Sequence, residues 1–162
     1  MTTGQQLFSA IILAADRELH NPVAAAAGVS CKSMAPVNGT PMLFRVIEAL
    51  AASAHVHDQT LCGPPRSILD REPALQGYVS SGRVGWQANQ ATPSLSAFHA
   101  MASRPATIPL LLTTSDHALL SPRIVDHFCR EAGRTGVDVA AGGVPVGPCS
   151  QGSTAVVSQH VV

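Results

Sequence analysis

The chain carries a single lysine, Lys32, in 162 residues, and charged residues of all kinds make up only 12%. Its formal net charge is zero. That balance argues against any nucleic-acid or membrane-surface partner held by bulk charge. The four cysteines, Cys31, Cys62, Cys129 and Cys149, form no CxxC pair, so a zinc ribbon or thioredoxin-like site has no support. They read as free, buried or half-buried thiols in a reducing cytosol. No apolar run is long enough to span a bilayer. The stretch from Leu7 to Ala15 is short and follows no positive charge, so it reads as a buried strand and not as a signal peptide. No GxGxxG follows it, which disfavours a dinucleotide-binding oxidoreductase. After Asp138 there is no aspartate or glutamate.

Apolar residues are plentiful, at 46%. That supplies a real core and argues against disorder. With so little charge to cover the surface, some apolar area is expected to be buried against a second copy or a further segment. The length suits one domain. Phe8 to Ala14 (FSAIILA) and Ile108 to Thr113 (IPLLLT) are short apolar runs suited to the interior of a parallel sheet. Weaker strand signals lie at Val56 to Cys62, Arg83 to Trp86 and Val137 to Ala141. Three segments open with a hydroxyl residue followed by proline: Thr40-Pro41, Thr92-Pro93 and Ser121-Pro122. Each reads as an N-cap and first helical turn. A long loop is expected from Ala15 to about Asn38, its stretch to Ser33 mobile without ligand, although its alanine run could form a short helix.

Strands alternating with helices predict βαβ units. The expected fold is α/β, a Rossmann-like three-layer sandwich whose mostly parallel sheet has helices on both faces. Residues 1–143 form the α/β domain, and residues 144–162 read as an irregular extension or one added edge strand.

Ligands of open parallel sheets sit beyond the C-terminal ends of the strands. That rule selects the loop starting at Ala14, Ala15 and Asp16, and the block Thr113-Thr114-Ser115-Asp116-His117. Lys32 lies in the first loop. Taken alone it is a solvated side chain, and Asp116 taken alone is equally a helix N-cap or a metal ligand. His117 reads as structural. His55 and His57 share a strand face but lack a third ligand.

The run IILAADRELHNPVAAAAGVSCKSMAPVNGTPMLFRVIEAL resembles the opening of the MobA-like NTP transferases, nucleotidyltransferases with a glycosyltransferase-A-like fold. The resemblance is carried by Lys32-Ser33-Met34-Ala35-Pro36-Val37-Asn38-Gly39-Thr40-Pro41-Met42-Leu43 and by the later block PLLLTTSDHALLSPRIVDHF. It spans roughly residues 8–143 and implies a nucleotide-diphospho-sugar transferase-like fold. It also implies transfer of a nucleoside monophosphate from an NTP to a phosphorylated acceptor, such as a molybdopterin-like cofactor or a sugar phosphate, with release of pyrophosphate. Lys32 would hold phosphates, Asp116 would bind Mg2+, and Leu13, Ala14, Ala15, Asp16, Lys32, Thr92, Ser94 and Ser96 would line the nucleotide site. A soluble cytoplasmic protein and self-association fit the same picture.

The pattern departs from the family in two places. Asp16 stands where members have a glycine, adding negative charge near the phosphates, while Arg17 is near the family arginine but out of place. The second metal-binding carboxylate, which the family supplies from a later segment, is lacking. The alternative is therefore a truncated or non-catalytic nucleotide- or partner-binding remnant of the same fold.

Overall fold

Strand β1 (Phe8–Leu13) sits inside a six-stranded sheet because both of its faces are covered. Phe8, Ala10 and Ile12 join one apolar cluster and Ile11 another, and all four are fully shielded from water. Neighbouring strand residues point to opposite faces, so a strand that is apolar at five of its six positions needs a layer on each side. The computed structural model describes residues 6–16, 20–135, 139–142 and 155–158.

Along the chain, β1 is followed by α1 (Pro22–Ala27), a 3-10 turn at Lys32–Met34, β2 (Pro36–Val37), β3 (Thr40–Pro41), α2 (Met42–Ala51) and β4 (Val56–Cys62). Then come α3 (Arg66–Leu69), α4 (Pro73–Ser80), β5 (Gly85–Gln87), α5 (Pro93–Ala102), β6 (Leu110–Thr114), α6 (Pro122–Thr135), β7 (Val139–Gly142) and β8 (Ala155–Ser158). The sheet order is β5-β4-β1-β6-β8-β7. The first four strands are parallel, and β8 runs antiparallel to both of its neighbours. As expected from the two apolar runs, β1 and β6 are adjacent and central, with Ser9 opposite Leu110 and Leu13 opposite Thr114.

Helix α2 buries Met42, Leu43, Val46, Ile47, Ala49 and Leu50, a stripe at helical spacing. That stripe packs with Phe8, Ala10, Ile12, Leu61 and Leu111 of the sheet and with Val125, Cys129 and Ala132 of α6. On the opposite face, Ala100 and Met101 of α5 cover Ile11, Cys62 and Leu110. Helices therefore lie on both faces of the sheet, as the three-layer reading requires.

Several expectations need correction. Thr40 is not an N-cap. Thr40 and Pro41 pair with Val37 and Pro36 across a two-residue turn, and α2 starts at Met42 with no side-chain cap. Asn38 and Gly39 both have positive φ, 50° and 77°, as an Asn-Gly hairpin turn demands. The alanine run of the loop from Ala15 to Asn38 forms the short helix it allows, α1, capped by the Asn21 side chain, which accepts from the Val23 and Ala24 amides. Helices α3 and α4 were not foreseen. Within residues 144–162, expected to be irregular or an edge strand, β8 is an interior strand between β6 and β7. The rest of that span, and Arg17, lie outside the described residues.

Candidate functional site

The chain reaches the sheet's turning point between β1 and β6. From β1 it builds β4 and β5 outward on one side, then returns to place β6 on the other. The C-terminal ends of two diverging connections leave a crevice there. An open cleft of about 530 Å³ occupies this place, lined among others by Leu13, Asp16, Lys32, Cys62, Ser96 and Asp116.

Each polar residue is delivered by a definite piece of backbone. Ser115 N–H bonds to the Leu13 carbonyl at 2.9 Å, which extends the β1–β6 pairing by one residue and carries Asp116 to the rim. Ala14 N–H bonds to the Cys62 carbonyl at 2.9 Å, locking the start of the first loop to β4. Gly63 allows this close approach. Its φ is +78°, and a Cβ there would lie 3.1 Å from Ala15 Cβ and 3.2 Å from Ala15 N.

Lys32 joins the two sides of the cleft. Its backbone N–H donates to Asp16 Oδ2 at 2.9 Å. Its Nζ donates to Asp116 Oδ2 at 2.6 Å, with the Lys32 and Asp116 side chains 37% and 36% exposed. Asp116 Oδ1 accepts from the Thr114 hydroxyl. Burial pushes the Asp116 carboxyl up, but the bonds from Lys32 and Thr114, with the charges of Lys32 and His117, outweigh it and hold the carboxyl below its ordinary value. At neutral pH Asp116 is an anion with a cation already beside it.

His117 hydrogen-bonds Thr113 Oγ1 through Nδ1 at 2.9 Å. Burial lowers its pKa, and the charge of Asp116 only partly offsets that. Cys62 lines the cleft, but burial pushes its thiol up to about 11. It stays a thiol, not the thiolate that nucleophilic catalysis needs. Cys31, Cys62 and Cys129 are free and buried; Cys149 lies outside the described residues.

The structure gathers Leu13, Ala15, Asp16, Lys32, Ser96 and Asp116 around one cleft, although they span most of the sequence. Ala14 is 2% exposed and contributes its backbone beneath the site. Thr92 and Ser94 are exposed at the start of α5, outside the cleft lining. Thr92 caps the helix, accepting from Leu95 N–H at 3.1 Å. Ser96 is engaged twice, accepting from Gln90 N–H at 2.8 Å and donating to the Thr92 carbonyl at 3.0 Å. It shapes the wall there through the 88–92 segment. Thr114 and Ser115, within the block that the strand-end rule selects, also line the cleft, and so do Asn21 and Cys62, which the sequence reading did not select. Applying the same rule to the end of β4 finds Cys62.

Two carboxylates, Asp16 and Asp116, offer hard oxygen donors of the kind magnesium takes. The Lys32 ammonium on Asp116 marks that oxygen as one that accepts a cation. The donor set fits a magnesium ion by this chemistry. Among the described residues, no group of three or more histidines, cysteines or acids converges on one point, so any cation here must draw further ligands from water or substrate.

A family model described as the MobA-like NTP transferase domain matches residues 10–150. No curated protein sequence matches the chain. Among solved structures, a hypothetical transferase from Thermus thermophilus superposes with a TM-score of 0.56 at 20% identity, over 85% of this chain and 50% of its own. The 4-diphosphocytidyl-2C-methyl-D-erythritol synthase of Anaerococcus prevotii gives 0.65 at 13% identity, over 96% of this chain and 70% of its own. A cytidylyltransferase from Leptospira borgpetersenii gives 0.61 at 13% identity, over 96% and 60%. The chain thus spans half the length of the Thermus protein, and at these identities the likeness is one of fold.

Proposed function

Because the chain belongs to the MobA-like NTP transferase family, we propose that it binds an NTP in the cleft between β1 and β6. There it would transfer the nucleoside monophosphate to a phosphorylated small-molecule acceptor. An oxygen of the acceptor phosphate attacks the α-phosphorus, the bond from that phosphorus to the bridging oxygen breaks, and pyrophosphate leaves. The observation that carries the reading is the pairing of Lys32 with Asp116 at the C-terminal edge of the sheet. One strand-end carboxylate and one loop ammonium are what a polyphosphate and its cation need.

Lys32 holds phosphate oxygens as a point charge. Asp116, with Asp16 beside the same cleft, would hold a magnesium ion, which would neutralise phosphate charge. Thr114 fixes the Asp116 carboxylate through its hydroxyl. The backbone around Ala14 and Ala15, held to β4, gives the nucleotide a rigid floor. Catalysis is positioning and charge neutralisation, and the protonated Cys62 thiol takes no covalent part. Buried free thiols fit a reducing, cytoplasmic setting. Among the described residues no helix is long and apolar enough to cross a membrane. Exposed Phe98 and Leu119, at 65% and 85%, supply the apolar surface that self-association would use.

A second reading, nucleotide binding without turnover, is favoured by the Asp16 carboxylate at the cleft, which repels phosphate. Calorimetric titration of NTP with and without magnesium, on wild type, Asp116→Ala and Lys32→Ala, tests the site. Asp116→Ala should abolish the metal-dependent part of binding. Lys32→Ala should weaken binding with or without metal. Unchanged affinity in both variants removes the assignment. With magnesium and a panel of sugar phosphates and pterin phosphates as acceptors, pyrophosphate release by the wild type rules out the second reading, and tight NTP binding without release across the panel rules out the first.

A further inference from the structure

Asp116 Oδ2 is already in contact with a positive charge, the Lys32 ammonium at 2.6 Å. The rest of Lys32 is fixed. Its backbone N–H is held by Asp16, and its carbonyl accepts from Ala35 N–H at 3.0 Å within the 3-10 turn. What can move is the four-carbon stem and its ammonium, which is partly open to solvent.

We infer that Lys32 Nζ and a divalent cation are mutually exclusive partners of Asp116 Oδ2, and that displacement from this oxygen is what frees Lys32 for the substrate phosphates. The inference rests on the nucleotidyl-transfer reading above and adds an order of events to it. An ammonium at hydrogen-bond distance and a magnesium ion at its own, about 2.0–2.1 Å, would stand only a few ångströms apart on one carboxylate oxygen, and the repulsion between two cations at that distance favours one occupant at a time. Lysine suits such an exchange. It is a compact charge on a flexible stem, with no fork geometry to lose when it changes partner. In the empty cleft Lys32 offsets the negative charge of Asp116. In the filled cleft it offsets that of the phosphates, while Asp16 keeps its backbone in place throughout. The cation alone should therefore bind weakly, because it must expel Lys32 into water. With nucleotide present it should bind strongly, because Lys32 then has an anion to move to.

The single lysine makes the wild-type protein its own probe. With 13Cε-labelled lysine the full chain gives one side-chain signal, that of Lys32. Magnesium without nucleotide should move this signal along the same curve that calorimetry gives for magnesium binding. A signal that stays in place at saturating magnesium overturns the inference. Independently, Mn2+ affinity can be read from the electron-spin resonance of the free ion. Lys32→Gln should bind Mn2+ about fivefold more tightly than wild type, the scale of one partly exposed ion pair that no longer has to be broken. Lys32→Arg should stay close to wild type. If Lys32→Gln does not tighten binding, while adding Asp116→Asn to it weakens binding, the exclusion is wrong and the metal assignment stands. If Asp116→Asn leaves Mn2+ affinity unchanged in that background, the cation is not on Asp116, and both the inference and the metal part of the proposed function fall.

Discussion

Asp16 Oδ2 accepts the backbone N–H of Lys32 at 2.9 Å, so the residue that departs from the family's glycine holds the residue that matches the family's lysine. In sequence, an acid at that place only adds repulsion. In the fold one oxygen of its carboxylate accepts an amide, and it sets where the Lys32 side chain starts. Asp16→Ala should lower unfolding stability by about 1–2 kcal/mol, the cost of a lost hydrogen bond to a charged group at a partly exposed site. It should also speed hydrogen exchange at the Lys32 amide. Asp16→Asn, which keeps an acceptor, should recover most of both.

Thr92 caps α5 through Leu95 N–H and stands outside the cleft lining. Thr92→Ala should therefore cost about 1 kcal/mol in urea unfolding and leave NTP affinity near wild type. Thr92→Ser should restore stability. A large affinity loss in Thr92→Ala with intact stability would give the hydroxyl a direct ligand contact instead.

Gly63 has positive φ, and a Cβ there would lie 3.1 Å from Ala15 Cβ, closer than ordinary van der Waals contact. In Gly63→Ala a non-glycine residue is held in the left-handed region at about 1–3 kcal/mol, and its methyl presses on the backbone that floors the cleft. Lower stability in denaturant and weaker NTP binding by calorimetry should appear together in this variant.

Burial raises the Cys62 thiol to about 11 and the Cys129 thiol to about 12. Native protein should react slowly with iodoacetamide near pH 8 and rapidly once unfolded. The ordinary value in the unfolded chain is 9.0, so the folded state holds these protons where the unfolded chain loses them. Stability from these groups is full below pH 9.0 and falls as pH rises towards the folded values. Each thiol contributes a slope approaching about 1.4 kcal/mol per pH unit. Denaturant unfolding at a series of pH values reads the slope, and Cys62→Ala should remove its share.

Much of the sheet was legible because β1 and β6 are apolar at nearly every position, a pattern that only a doubly covered strand needs. Thr92-Pro93 and Ser121-Pro122 marked α5 and α6 for a local reason, a hydroxyl cap followed by a ring preset for the first turn. The same device misled at Thr40-Pro41, where Asn38-Gly39 builds a hairpin and takes Thr40 and Pro41 into a strand pair. Asn-Gly between Val37 and Thr40 carried that signal. Helices α3 and α4 were invisible because they are short and bury one residue each, Leu69 and Leu75. Packing holds them, and periodicity cannot show it. In the site, Lys32 and Asp116 were chosen separately and the fold put them in contact. Cys62 carries no such signal because a small side chain matters there only for where its strand ends.

The place of β8 has a consequence for the order in which the molecule is made. β7 leaves the ribosome before β8, yet its sheet partner is β8, which pairs with β6 on its other side. Until residues 155–158 emerge, β6 presents an open edge and β7 has no neighbour to join. The parallel half, from β5 through β4 and β1 to β6, is synthesised by Thr114 and can form first during translation. The nascent protein would then carry a finished cleft between β1 and β6 beside an unfinished sheet, until a later strand slides into the gap between two earlier ones.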